Sequence, residues 1–480
     1  MKQKIKDGDK WFVVLFSIAM LLLAVIHAPD IHQLTNTCDI NQPTPTEDFT
    51  IDAIYGYIPQ IAGKEPVDNW HSALFMYEGK AMIDLSANLF NVAMQPSIVL
   101  VVAWFVNVVV LIFNFSLWLH WLTKTDRRFY FIVLPFVSII VYLVSQPITL
   151  DTYFYAPYAT LLTICCILAK CSNKKHILLC ISILLIVLLH MIEFRKNSAI
   201  LLPIPLYIIA SKITKNIGAK IAVALIGSLV LFLVLSRTVC FFLPVQERFP
   251  LTPMMESDMR IAAILENKQA NLRSDFAGMG YAKSGDIPLY NSLTASVGAD
   301  RYSGKNIDLN KWNEYYINLW KSNTPTMLYS KFIQVAEFYC GGILPVPLQK
   351  LTSRIYPAIE NNPDAMRFLV QTRKIFWIPR LLVLFATIII PIYIATRNDG
   401  LIASLPINEL LIALGMLFAA FYSLSYIIIT PTSDARFLAP AVSMGVWSIL
   451  AFFICWLRKK YERITNISKS ADTLNTISIR

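Results

Sequence analysis

The sequence predicts an all-α integral membrane protein of about ten transmembrane helices with two large outer-face loops, the second forming a small, mostly helical cap. Three observations lead there. Of 480 residues, 56% are hydrophobic and 15% charged, and mean hydropathy is +0.54; a typical soluble domain carries about 25% charged residues. Uncharged apolar runs such as 101–119, 410–433 and 437–457 are long enough to cross a hydrocarbon layer about 30 Å thick. The basic residues gather at the ends of such runs, where membrane orientation needs them. Together these exclude a soluble globular enzyme, a disordered chain and a disulfide scaffold. The net charge of +11 invites a nucleic-acid partner, but the bases are dispersed along the run ends, so the expected partners are membrane lipids and no nucleic acid.

Ten spans are expected near 11–28, 96–122, 129–146, 153–169, 177–193, 198–211, 221–243, 377–396, 403–430 and 437–457. The first follows a basic start and resembles a signal peptide. Pro29 and Asp30 stand where a small-residue cleavage site would, so it reads as an uncleaved span with the N-terminus inside. The sixth holds Pro203 and Pro205 and is expected to be broken or tilted. Alternation then places 1–10, 123–128, 170–176, 212–220, 397–402 and 458–480 inside, with 4, 3, 3, 3, 1 and 6 Lys and Arg residues. Every inside segment carries positive charge, which puts both termini in the cytoplasm. The division is a membrane module over 1–243, an outer-face loop domain over 244–376, a second membrane module over 377–457 and a tail over 458–480.

The first outer loop, 29–95, carries nine acids against two bases, Lys64 and Lys80. The second holds amphipathic helical patterns at 312–320 and 326–340, with proline-rich breaks at 344–350 and 361–365. Long loops in compact proteins usually carry function or their own structure. The eight cysteines show no CxxC or Cys/His metal spacing, and most sit in apolar runs as small hydrophobes. Cys38 and Cys340 fall in outer segments; sequence supplies no geometry for a bond between them.

Five groups of polar residues lie near the expected outer face. In TEDFTIDAIYGYIPQ, Asp48 and Asp52 are one helical turn apart, with Ile51, Tyr55 and Ile58 on an apolar stripe. A carboxylate beside apolar surface is a better general base; the alternative is a solvated acidic face. Trp70 and His71 precede a new helical run, as an interfacial anchor and a hydrogen bonder or as ligand contacts. These carboxylates and His71 match no metal-ligand spacing, so the metal is unknown and a divalent cation stays open. Arg195 and Lys196 lie outside against the charge bias; a lipid phosphate would explain them, as would pairing with Glu193 or the acidic first loop. Arg237 lies in a span, close enough to its end to snorkel. Asp434 and Arg436 stand at the entrance of the last span, and Asp151 just before the fourth, where it could serve as an N-cap. No Walker A, GxGxxG, HExxH or GxSxG pattern occurs, which argues against nucleotide-driven pumping, nucleotide-dependent redox chemistry, zincins and α/β-hydrolases.

DAIYGY (52–57), NWHSAL (69–74), LDTYF (150–154), FRKNSAILLPIP (194–205) and DARFLAP (434–440), in this order and on one predicted side, resemble the polytopic GT-C-type glycosyltransferases that use polyprenyl-phosphate sugars. Within that class the chain is similar to the bacterial O-antigen glucosyltransferase group, the serotype-converting type. The resemblance implies a GT-C-like fold in the bacterial inner membrane and an inverting sugar transfer at its outer face. The donor is a polyprenyl-phosphate sugar, and the acceptor a glycan or lipid-linked glycan of the cell envelope. It implies Asp52 as the base, with Asp48 in reserve and Glu47 behind it; Ala53 follows Asp52 where many relatives carry a second acid. It implies that Arg195, Lys196 and Arg436 hold the leaving phosphate, that Trp70 and His71 contact a sugar, and that Asp151 and Asp434 line the substrate site. The other readings are an O-antigen polymerase, a lipid-linked glycan flippase or secondary transporter, and a membrane scaffold.

Overall fold

A computed structural model describes residues 58–67, 72–123, 155–246, 252–266, 308–340, 405–429 and 447–457, with positions 268, 271, 274–275, 385, 388–389, 444–445 and 460. The helices run α1 (Ile58–Ile61), α2 (Ala73–Phe90), α3 (Pro96–Thr123), α4 (Tyr155–Lys170), α5 (Lys174–Phe194), a 3-10 turn (Lys196–Leu201), α6 (Pro203–Ile213), α7 (Ile217–Phe242), α8 (Thr252–Leu265), α9 (Leu309–Ser322), α10 (Thr324–Cys340), α11 (Ile407–Ile429) and α12 (Trp447–Leu457). Four are long and apolar enough to cross a membrane: Ile98–Leu122 within α3, Lys174–Phe194, Ile217–Phe242 and Ile407–Ser425 within α11. The chain is thus a multi-pass integral membrane protein. The expected spans 11–28 and 129–146 lie outside the described residues, as do all but three positions of 377–396.

α4 is the hub. It packs against α3, α5, α6 and α11, and Ala159, Leu161, Leu162, Cys165 and Cys166 are fully buried. Small residues let neighbouring backbones come close, the usual basis of helix association in lipid. Polar groups add specificity at the α3 contact. The Trp118 Nε1–H donates to Thr163 Oγ1 at 2.7 Å, the Thr163 hydroxyl to Asn114 Oδ1 at 2.6 Å, and Asn114 Nδ2 to Thr160 Oγ1 at 3.0 Å. Such interhelical bonds are worth about 0.6 kcal/mol each. Trp118 continues the contact to α12, its ring centroid 4.9 Å from that of Trp447. Gly415 of α11 makes room there: a Cβ on it would stand 2.4 Å from Ser448 Oγ.

The two ends of the bundle are tied differently. At one end Lys212 Nζ donates to Ala169 O (2.8 Å) and Cys171 O (3.0 Å), and Lys170 Nζ donates to Leu405 O. The last carbonyls of a helix lack intrahelical donors, and an ammonium both bonds them and complements the helix dipole. At the other end, where α5 and α7 finish, the segment before α3 is docked. Ser72 caps α2 by accepting from the Phe75 N–H at 3.2 Å, and Phe75 packs on Phe194 of α5 with ring centroids 5.8 Å apart. Tyr77 Oη donates to Pro244 O at 2.5 Å, and the Gln246 N–H to Val67 O at 2.8 Å. Burial raises the Tyr77 phenol above its ordinary pKa. α1 is seated by buried Ile58 and Ile61 against α2 and α3.

α7 is peripheral. Leu225, Ile226, Leu229, Val230, Leu233 and Val234 are all exposed, a surface that suits acyl chains. Beyond it, α8, α9 and α10 pack together, and α10 also rests on α11. The amphipathic pattern expected at 312–320 is borne by α9, capped at its N-terminus by Asp308, which accepts from the Asn310 and Lys311 N–H groups. Asp258 of α8 is fully buried and bonds both neighbours, accepting from Tyr316 Oη at 2.5 Å and pairing with Lys331 Nζ at 2.9 Å. Burial and the Asp258 charge push the Tyr316 phenol well above its ordinary pKa.

Candidate functional site

The expected sixth span is broken. Pro203 and Pro205 have no N–H, so a helix running through 196–213 would leave the Ala199 and Leu201 carbonyls without donors. Instead the chain makes a six-residue 3-10 turn, with the Leu202 N–H bonding Ala199 O at 3.0 Å, and α6 starts with Pro203 in its first turn. α6 has 11 residues, about 16 Å at the α-helical rise, roughly half the hydrocarbon layer. The 3-10 turn adds about 12 Å. Neither piece alone is as long as that layer is thick, and interrupted backbone of this kind is tolerated at membrane depth where protein covers it. Ser198, Leu201 and Leu202 are indeed buried, and the turn lies against α5 and α11.

Arg195 makes the bend. It is the C-cap of α5 in extended backbone; its N–H bonds Met191 O and its carbonyl accepts from the Ser198 N–H, both at 2.9 Å. Arg195 and Lys196 are half-buried. Glu193, in the last turn of α5, is 9% exposed, with Lys196 and His190 as the charges that act on it. The sequence offered a lipid phosphate or Glu193 as reasons for the basic pair. For Lys196 the structure brings Glu193 within electrostatic reach, without a direct bond among the described residues. The Ser198 hydroxyl is buried and has no hydrogen-bond partner among the described residues.

One turn before Glu193, His190 bridges two helices. Nδ1 lies 2.9 Å from Ile186 O and Nε2 2.8 Å from Glu78 Oε1 of α2. A carbonyl and a carboxylate both accept, so the pair is best satisfied by a donor at each ring nitrogen. This bridge joins α2, in the segment before α3, to the last turns of α5. Glu78 and His190 were not singled out in the sequence. The signal was present: His190 and Glu193 are three apart in an otherwise uncharged apolar stretch, and ionisable residues in spans are functional candidates by default.

Asp48, Asp52, Trp70, His71, Asp151, Asp434 and Arg436 lie outside the described residues. Their chain neighbours are placed: α1 begins six positions after Asp52, Ser72 follows His71, and α4 begins four positions after Asp151. Arg237 is on α7, exposed, five positions from its end. Among the described residues no group of three His, Cys, Asp or Glu side chains is placed to hold a metal ion. The fold defines the chain as a multi-pass helical membrane protein. Beyond that class, no protein-family model, curated protein or solved structure matches it.

Proposed function

We propose that the protein is an inverting membrane glycosyltransferase of ten spans. It moves a sugar from a polyprenyl-phosphate donor to a cell-envelope glycan at the outer face of a bacterial inner membrane. The observation that carries this reading is the docking of α2 onto the last turns of α5, just before Arg195, through Glu78 and His190 at 2.8 Å and Phe75 on Phe194. α2 follows in the chain the stretch bearing Asp48 and Asp52, and the basic pair Arg195 and Lys196 follows directly on α5. A base and phosphate-binding cations meeting at one membrane face is the arrangement such a transfer needs.

In this reading the acceptor hydroxyl oxygen bonds the anomeric carbon with inversion, and its proton passes to Asp52. The bond from that carbon to the phosphate oxygen breaks, and the electron pair leaves with the polyprenyl phosphate. Arg195 and Arg436 hold that phosphate. A lipid-linked donor removes the need for a nucleotide-binding domain, and its tail lies in the membrane.

The test is transfer by the purified protein in lipid vesicles carrying polyprenyl-phosphate hexose and a glycan acceptor. The wild type yields a new glycosidic product. Asp52→Asn lowers the rate by about two to four orders of magnitude, the contribution of a positioned acid-base group, with membrane insertion unchanged. Full activity in that variant removes Asp52 from the mechanism, and chelation of divalent ions in the same assay decides the metal question. The ionisable His190 and Glu193 in a spanning helix favour a carrier as the second reading. Net flux of lipid-linked glycan without product would establish it.

A further inference from the structure

We propose that the neighbouring starts of α5 and α7 hold the headgroup of an anionic phospholipid, with Lys174, Lys175, Lys215 and Lys220 around its phosphate and its acyl chains on the exposed flanks of the two helices. The site stands whether or not the chain transfers sugars.

One end of the bundle gathers lysines. α4 finishes there at Lys170, α5 starts at Lys174, α6 finishes at Ile213 and α7 starts at Ile217. The two links are fastened together, because Lys212 Nζ donates to Ala169 O at 2.8 Å and to Cys171 O at 3.0 Å. Lys174 comes three positions after Cys171, and Lys215 three after Lys212. Lys170 and Lys212 are engaged by carbonyls of the protein. Lys174, Lys175 and Lys215 are exposed, and Lys220 is half-buried.

Charge at this end is almost all of one sign. In α3 to α7, α11 and α12 the sequence holds two acids, Glu193 and Glu409. Glu193 belongs to the opposite end, beside Arg195 and Lys196. Glu409 opens α11, four positions after Leu405, whose carbonyl receives Lys170. Six lysines thus stand against one carboxylate on these helices, and His176 beside them is neutral or positive. Ammoniums so gathered repel one another, and a bound anion relieves that repulsion.

Where the lysines stand selects the partner. Lys174 and Lys175 lie one turn before the exposed Leu178 and Leu179, on the same face, and the apolar column continues through Ile183, Leu185 and Ile186. Lys220 lies between the exposed Ile217 and Val223 and heads the exposed run of α7 that begins at Leu225. α5 and α7 pack on each other. Lysine stems run along such surface and carry the ammonium to the headgroups. A soluble polyanion has no use for the apolar columns; a phospholipid fills both parts of the surface. Positive charge in a short loop is enough to orient a span, and orientation does not ask that the ammoniums of two packed helices share their flanks with exposed Leu and Ile.

The experiment takes the purified full chain, stripped of lipid in detergent, adds phosphatidylglycerol and phosphatidylcholine in equal amounts, and counts each on the protein by native mass spectrometry. The wild type retains phosphatidylglycerol in preference, and the preference shrinks as salt screens it. Lys174→Gln, Lys175→Gln, Lys215→Gln and Lys220→Gln each lower it, by up to about fivefold, the worth of one lysine near an anionic surface. The four together remove it, and arginine at all four positions keeps it. Lys80→Gln, on α2 at the opposite end, leaves it unchanged. Glycerol phosphate, the headgroup without chains, does not displace the lipid at equal concentration. A wild type that holds the two lipids equally overturns the proposal. So does a preference that survives the fourfold glutamine variant, or one that Lys80→Gln weakens as much as Lys174→Gln does. Full displacement by glycerol phosphate overturns it too, because the site would then take soluble anions. The single variants decide the matter if the fourfold variant fails to insert.

Discussion

At Gly415 a hydrogen in place of a side chain lets two apolar helices, α11 and α12, meet. A Cβ there would lie 2.4 Å from Ser448 Oγ and 2.9 Å from Trp447 Cζ3. Trp447 cannot easily yield, because its ring is fully buried against Trp118. Gly415→Ala is expected to cost about 1–3 kcal/mol, the range for overpacking a filled interior. Thermal unfolding of the purified protein in detergent should show a lowered midpoint, and Ser448→Ala should restore part of it by removing the nearer atom. An unchanged midpoint would mean that α11 and α12 are not packed as described. The glycine is plain in the sequence, but its role is not, because Ser448 is 33 positions away and the contact exists only once both helices are placed.

α2 shows what the pattern of an element reveals and what it hides. A helical run after His71 was legible, and so was the break at Pro203 and Pro205, since proline's missing donor is a local property. The mooring of α2 was not. Glu78 finds His190 across 112 positions and Tyr77 finds Pro244 across 167, and no local rule links them. Removing the imidazole should loosen the helix. In His190→Ala, Glu78 loses its donor and α2 its polar tie to α5, with the Phe75–Phe194 contact left. Amide hydrogen exchange should then quicken across Ala73–Phe90, while the centre of α3 keeps its protection. Equal protection of α2 in variant and wild type would reduce the bridge to an incidental surface contact.

Over the whole molecule, the membrane body was far more legible than the site. Expected spans at 96–122, 177–193, 221–243 and 403–430 correspond to helices Pro96–Thr123, Lys174–Phe194, Ile217–Phe242 and Ile407–Ile429. Lipid demands about 20 apolar residues in a row, and such a run is written in one continuous stretch. A binding site is assembled from short pieces of separate stretches, so sequence could nominate Arg195 and Lys196 with Glu193 but not the bridge from His190 to Glu78. Sidedness is open to direct measurement. In the proposed ten-span topology three crossings separate Lys174 from Lys311: α5, the segment 196–213 and α7. Lys174→Cys and Lys311→Cys, each in a chain otherwise without cysteine, should react with an impermeant maleimide from opposite faces, Lys311→Cys in intact cells. Labelling of both from one face would break the alternation. The outward flank of α7 carries a separate lesson. Where acyl chains are the only neighbour, Ile, Leu, Val and Phe are interchangeable, and neutral drift should scatter them freely. A position on that flank that refuses such exchange would betray a second protein lying against it.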